Sequence, residues 1–311
     1  MKLPTLLEGF LANLIKTIGL LVGIFVLIFF LMRILPGDIV DLMAIDGGLD
    51  ENMKAELRTE LGIDKSLPEQ FFIWCRQMLR FDFGKSLRFG KPVTEIIGYS
   101  LPVTLRLALI SCAVGLGLGM ALAFLAVWKK SKFFATLIEA INVWSIAVPT
   151  FCAGFMLIFM FVLGMHIMPL SGNFLLPVAV LAVDIAGQVA KPLFEEMKDT
   201  LSARFVTIAR SKGMDYRRIV IRHVIPNSAT VLIALSGLIV AGALGGSITL
   251  EVLFNLPGLG QLAFNAVSGR DYPIIQALAI FIASITILVN FVTDSVALLI
   301  DPRQRDILRN T

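Results

Sequence analysis

Apolar residues in this chain come in long unbroken runs, a pattern suited to lipid rather than to the single buried stripe of a soluble helix. Crossing a hydrocarbon layer of about 30 Å takes about 20 apolar residues in helix, because lipid offers the backbone no hydrogen-bond partners. Six runs qualify. The first, roughly 15–35, reads IKTIGLLVGIFVLIFFLMRIL. It is too long for the core of a signal peptide and no small-residue cleavage site follows, so it predicts an uncleaved anchor. The second, about 101–127, ends at WKKSK. The third, about 137–163, contains Pro149, which a membrane helix tolerates where neighbours satisfy the freed carbonyl. The fourth, about 174–193, is the weakest, interrupted by Asp184, Gln188 and Lys191. The fifth covers about 229–250 and the sixth about 275–300. The expected fold class is an all-α integral membrane protein with six transmembrane helices.

Between the first two runs lies a soluble insertion, 36–100, which mixes both charges with aromatics. In LPEQFFIWCRQMLRFDFG the apolar residues recur at helical spacing, which predicts one or two amphipathic helices lying on the membrane surface. Orientation follows from the short loops. One side has WKKSK, the seven Lys/Arg residues from Lys198 to Arg222, and Arg303, Arg305 and Arg309; the other offers Arg270. Lysine and arginine gather on the cytoplasmic side, and loops beyond about 60 residues escape the rule. The expected organisation is a cytoplasmic N-terminus and first helix (1–35), an extracytoplasmic insertion (36–100), a five-helix core (101–300) and a cytoplasmic tail (301–311).

Composition agrees. The chain is 57% hydrophobic and 16% charged, with mean hydropathy +0.85, whereas a soluble domain has about a quarter of its residues charged. Lipid must replace the missing polar surface. The net charge of +4 reflects topology, and no nucleic-acid partner is implied. Cys75, Cys112 and Cys152 form no CxxC or CxxH pattern and suit packing among helices. No HExxH, catalytic triad or Glu-x-x-His arrangement occurs, and the histidines are His166 and His223. The GKS at Gly84-Lys85-Ser86 imitates the end of a phosphate-binding loop, but the required glycine five residues earlier is Leu79.

One stretch resists the oily pattern: SARFVTIARSKGMDYRRIVIRHVIP, from Ser202 to Pro226. A loop needing charge alone could be loose. Here Phe205, Val206, Ile208 and Ala209 stand at helical spacing, Gly213 stops that helix, a second amphipathic run spans 216–224, and Pro226 resets the chain before the fifth span. Two short helices with apolar faces and no lipid to bury them suit a protein groove better than a lipid surface.

The run Ala209, Gly213 and Ile225-Pro226 resembles the EAA loop of bacterial ABC-importer permeases: Glu-Ala-Ala, three residues, Gly, nine residues, Ile, one residue, Leu-Pro. Thr207, Ile208 and His223 replace the Glu, the first Ala and the Ile. FVTIARSKG is similar to the YVxxARAKG of the dipeptide/oligopeptide/nickel branch. Further landmarks of that branch are PGD at Pro36, LGIDKSLPEQFFIW from Leu61, FDFGKSL from Phe81, LPVTLRLAL from Leu101, EVLFNLPGLGQL from Glu251, RDYPIIQ from Arg270 and DPR from Asp301. Glu195 and Glu196 depart from the basic and small residues usual before the loop.

The resemblance implies the type I ABC importer permease fold and a permease half that works with a second homologous permease, one or two cytoplasmic ATPase subunits and an extracytoplasmic solute-binding protein. It implies no cofactor on this chain, with ATP and magnesium on the ATPases, and a bacterial inner-membrane location. The EAA loop, about 194–226, would seat in an ATPase cleft through Phe205, Thr207, Ile208, Ala209 and Gly213, closed by Pro226. Arg217 and Arg218 would pair with acidic groups at the rim or form a solvated flank. Peptides are the expected cargo, with nickel, a metal–chelate or a glutathione-like compound as alternatives.

Polar residues that lipid rejects mark the translocation path: Asn142, Ser145 and Thr150 on the third run, Asp184 and Gln188 on the fourth. Asp184 serves equally as an inter-helix bond, and Asp294 suits a structural cap near the cytosolic interface. Gly115 with Gly119, and Gly242 with Gly246, have the small-xxx-small spacing of close helix packing, within the bundle or against a partner. Met165, His166 and Met168 at the outer mouth pack, or touch a soft metal in transit. A stand-alone secondary transporter is the rival; it would need its own ion-coupling carboxylates and more helices.

Overall fold

Apart from the third, each apolar run folds within a single helix among the described residues. The computed structural model describes residues 3–34, 51–60, 64–170 and 172–300. The PGD at Pro36, the first three residues of LGIDKSLPEQFFIW and the tail with DPR lie outside the described residues. Helix α1 is Leu3–Ile34; α2, Glu51–Glu60, is polar; α3 is Leu67–Leu79. Helix α4, Val93–Lys129, starts well before the apolar run at 101, and its 37 residues would measure about 55 Å, so it outreaches the hydrocarbon layer.

The third run is not one helix. Helix α5 (Lys132–Ala147) and helix α6 (Thr150–Leu157, continued as a π-helix over Ile158–Gly164) meet at a bend of 104°. The ring of Pro149 forces Val148 into an extended conformation (φ −108, ψ 109), and Pro149 becomes the cap of α6. The expectation of a proline tolerated inside a continuous helix is thereby corrected. Helix α7 (Leu175–Ser202) runs unbroken through Asp184, Gln188 and Lys191. After it come α8 (Arg204–Ser211), α9 (Tyr216–Ile219), α10 (Ile225–Leu253), α11 (Leu259–Ser268) and α12 (Tyr272–Ile300).

Among the described residues α1, α4, α7 and α12 are long and apolar enough to cross a membrane, and α5 with α6 makes a fifth span if the bent pair is one. The Gly237–Leu253 part of α10 is apolar but shorter. Four or five spans therefore stand where six were expected.

The chain divides into two compact units, one of residues up to 17, 102–261 and from 286, the other of residues 18–101 and 262–285. In the first, α7 is the hub, packed against α5, α6 and α10. The approach of α4 is close because Gly115 and Gly119 have no side chain: a Cβ on Gly115 would stand 2.7 Å from Ile185 Cβ and 2.8 Å from the Ala182 carbonyl. Asn142 on α5 donates to the Gly187 carbonyl at 3.0 Å. At the end of α10, fully buried Glu251 accepts from the Gly260 N–H at 2.6 Å, and Thr104 Oγ accepts from Leu259 N–H, fixing the NLPGLG turn before α11. In the second unit α3 begins with a capping box, Ser66 with Glu69. Its Phe71 and Trp74 pack on Phe29 of α1 and on Ile280, while Phe72 and Leu79 stay exposed.

Candidate functional site

Residues 203–225 fold as the helix, glycine turn and second helix that the spacing predicts, with one difference at the end. Ala203, extended at φ −68 and ψ 149, closes α7 and opens α8. Val206 (0% exposed) and Ala209 (7%) face inward, against Val127, Leu193, Met197, Ile219 and Val224. Phe205 (44%) and Ile208 (56%) face out with Thr207. Ala209 therefore supports the elbow from beneath rather than forming part of its outer face.

Gly213 has φ +76 and ends α8. Its N–H donates to the Arg210 carbonyl at 2.9 Å and the Met214 N–H to the Ala209 carbonyl at 3.2 Å, the paired bonds of a Schellman turn. Among the described residues nothing lies within 4 Å of where a Cβ would stand there, so the backbone conformation and not space demands glycine. Asp215 then caps α9, accepting from the Arg217 N–H at 3.0 Å.

Pro226 does not reset the chain. From Tyr216 the helix passes through a π-turn at Val220–Val224 straight into α10, with Ile225 N–H donating to the Val220 carbonyl. The wide turn lies where proline removes an i→i−4 donor and its ring crowds the preceding turn, so the strain is absorbed without a break.

The second arm of the elbow is strapped to the end of α4. Tyr216 OH donates to the Val127 carbonyl at 2.7 Å, Lys130 Nζ sits 4.0 Å above the Tyr216 ring, and the Arg217 guanidinium lies 5.5 Å from the Trp128 ring centre. Burial pushes the Tyr216 phenol up, and Arg210 partly opposes it. Both arginines are exposed, and Arg217 also lies against the Trp128 ring. The Phe205 and His223 rings lie 6.3 Å apart, and the buried Nε2 of His223 has no hydrogen-bond partner among the described residues. Nothing in the sequence announced that Tyr216 and Arg217 reach Val127 and Trp128 at the end of α4.

The path candidates separate into two sets. Asn142 is buried and bonded to Gly187, and Ser145, whose Oγ donates to the Asn142 carbonyl at 2.9 Å, lies 2.7 Å from where a Cβ on Gly187 would stand, so both serve the α5–α7 contact; Thr150 is half-buried in the first turn of α6. Gln188 is exposed and donates to Asp184 at 3.0 Å. They begin a stripe on α7, continued by Lys191 and Glu195 at i+7 and i+11 from Asp184, with Lys191 bonded to Glu139 of α5 at 2.9 Å. The i+7 and i+11 spacing of Lys191 and Glu195 from Asp184 was there to find in the sequence, whereas the meeting of Lys191 with Glu139 of α5 was not.

Of the glycine pairs, Gly115 and Gly119 pack within the bundle, Gly246 meets Leu181, and Gly242 faces open space. Met168 packs against the core of the first unit, and Met165 is exposed. The three cysteines are free thiols. Asp294 is exposed.

Residues 113–306 match the family described as "Binding-protein-dependent transport system inner membrane component". The "Probable peptide ABC transporter permease protein y4tP" of Sinorhizobium fredii is 30% identical over 308 residues, covering 95% of this chain and 98% of that protein. The "Nickel import system permease protein NikB" of Staphylococcus aureus is also 30% identical, over 303 residues, 96% of this chain and 92% of that one. Among solved structures, a chain of the MetNI methionine ABC transporter in inward-facing conformations matches with TM-score 0.54 and 14% identity, covering 66% of this chain and 96% of that chain; the likeness is one of fold.

Proposed function

The chain belongs to the family of binding-protein-dependent transport system inner membrane components, and on that premise we propose how this ABC importer permease works and what it carries. It forms a heterodimer with a second permease, two ATPase subunits bind below, and a solute-binding protein delivers cargo from outside. This chain hydrolyses nothing itself. ATP and magnesium belong to the ATPases. Six spans cross the inner membrane, the bent α5/α6 pair and α10 each counting as one, with both termini and the elbow on the cytoplasmic side and residues 36–100 outside.

The observation that carries this reading is the elbow. Phe205 and Ile208 are presented outward on a short helix whose other face is locked into the bundle, while Tyr216 and Arg217 tie its second arm to α4. A lever must be rigid toward the body it moves and open toward the body that drives it. When the ATPases close on ATP, the displacement enters at Phe205, Thr207, Ile208 and the Gly213 turn and reaches α4, α7 and α10 without slack. Arg218 supplies charge at the rim. The stripe from Asp184 to Glu195, with Glu139, lines the aqueous path, because lipid would reject it.

Gly213→Val tests the lever. Holding valine at φ +76 costs about 1–3 kcal/mol locally, so the complete importer in proteoliposomes should retain ATPase activity and lose uptake. Normal uptake by this variant would remove the lever from the mechanism. Peptides are the proposed cargo; the equally similar nickel permease keeps nickel or a metal–chelate as the alternative. Calorimetric titration of the solute-binding protein with peptides and with nickel salts separates them.

A further inference from the structure

The GKS sequence that imitates a phosphate-binding loop has a different partner, Asp271, 185 residues away. Asp271 is 1% exposed, accepts from Ser86 Oγ at 2.5 Å, and receives the backbone N–H groups of Leu87 and Arg88 at 3.3 Å each. Ser86 Oγ in turn accepts from the Phe89 N–H at 2.9 Å. Around this anchor the loop is closed by an antiparallel bridge between Lys85 and Pro92, by Ser86 N–H to Lys91 O at 2.9 Å and by Val93 N–H to Gly84 O at 3.0 Å. Gly84 and Gly90 take its two left-handed corners, φ +76 and +65.

The fixed loop displays cations. Lys85, Arg88 and Lys91 are exposed, as is Arg270, next to the anchoring carboxylate. Arg88 Cδ and Nη1 lie about 3.5 Å from where a Cβ on Gly269 would stand, so its side chain lies over the segment that carries Arg270. Lys91 pairs with Glu95 at 3.5 Å; among the described residues Lys85, Arg88 and Arg270 have no ion-pair partner. Exposed Phe81 and Phe89 flank them. Arginine and aromatic residues together are what protein interfaces favour.

We propose that residues 84–92 with Arg270 form a basic docking face for an acidic surface of the solute-binding protein. The proposal rests on reading the chain as an importer permease with this insertion outside. A lipid headgroup layer is fluid and needs only charge density, which lysines on a loose segment supply. Here the cations are held on a backbone fixed by a buried carboxylate and two glycine corners. Such preorganisation lowers the cost of meeting a partner that has a fixed shape of its own. Opposite charge at the rim then acts mainly on encounter, so docking should weaken with salt over a Debye length of about 10 Å at 0.1 M.

The test uses the complete importer in nanodiscs, with ATPase rate followed against the concentration of its solute-binding protein at 50 and 300 mM salt. The triple variant Lys85→Glu, Arg88→Glu, Arg270→Glu should raise KM for the binding protein about tenfold at low salt, with the loss in KM rather than in the saturated rate, and should flatten the salt dependence. Arg88→Lys should keep most of the affinity. Asp271→Asn, which weakens the anchor and keeps every cation, should raise KM by a smaller factor. An unchanged KM in the triple variant overturns the proposal. So does an effect that appears in phosphatidylglycerol nanodiscs and vanishes in phosphatidylcholine, which would assign the face to lipid. Absence of any stimulation in the unaltered importer would instead sink the importer reading beneath it.

Discussion

Helices α1 and α7 are opposites. The spanning window of α1 has mean hydropathy 2.7 and is 17% buried, whereas that of α7 has 1.4 and is 61% buried. The other two long spans fall in order between them, α12 at 2.3 and 28%, α4 at 2.2 and 39%. In water the sign would be reversed, because the most apolar helix would hide. Here lipid is the apolar phase, and moving a leucine from lipid to the bundle interior gains little. What recommends a helix for the centre is shape and hydrogen bonding. Helix α7 supplies Gly187, whose carbonyl accepts from Asn142, and the groove that receives Gly115 and Gly119 of α4.

The largest expected effect breaks packing at the hub. Gly115→Leu places a side chain where Ile185 and the Ala182 backbone already stand, and the backbone cannot yield. Destabilisation of about 3 kcal/mol or more is expected, read as a lower midpoint in detergent thermal unfolding and loss of assembled importer. Gly23→Leu on α1, where among the described residues nothing lies within 4 Å of an added Cβ, should stay within about 0.5 kcal/mol. Equal losses at the two sites would erase the distinction between hub and periphery.

The next contrast exchanges polarity. Val22 lies near the middle of the α1 window and is 57% exposed, so Val22→Asp should cost about 3 kcal/mol in a membrane-insertion assay. Asp184→Leu on α7 should insert and fold as well as the original chain, while uptake by the complete importer falls about tenfold or more, since it removes a proposed path carboxylate and nothing from the core. Full uptake by Asp184→Leu would make that residue structural.

The inversion explains what could be read in advance. Runs such as 15–35 and 275–300 announced α1 and α12 because lipid contact selects apolar residues all round. The elbow was legible for a local reason: Gly213 can stop a helix by its own conformational freedom, and Val206 and Ala209 carry helical spacing. The hub is the least apolar of the four long spans, as its interrupting polar residues indicated, but hydropathy grades exposure to lipid and so did not reveal its centrality. Pro149 breaks its helix and Pro226 is absorbed by a π-turn, while Pro102 and Pro192 lie inside continuous helices, so the residue type alone does not announce a break. The bonds from Ser86 to Asp271 and from Tyr216 to Val127 join residues 185 and 89 positions apart, and no local pattern encodes such meetings.

The smallest effect sharpens the comparison most. Lys191 of α7 and Glu139 of α5 stand 2.9 Å apart, with the Glu139 side chain 57% exposed and the Lys191 side chain 31% exposed. If water fills the path beside the stripe, their attraction is screened and the coupling is that of a surface pair, below about 1 kcal/mol. If lipid covers the stripe, each charge left alone is costly and the coupling rises to several kcal/mol. A double-mutant cycle with Lys191→Met and Glu139→Gln, read by unfolding of the importer in nanodiscs, separates the two. A coupling below about 1 kcal/mol that shrinks further in high salt places α7 beside water, and one that ignores salt places it beside lipid like α1.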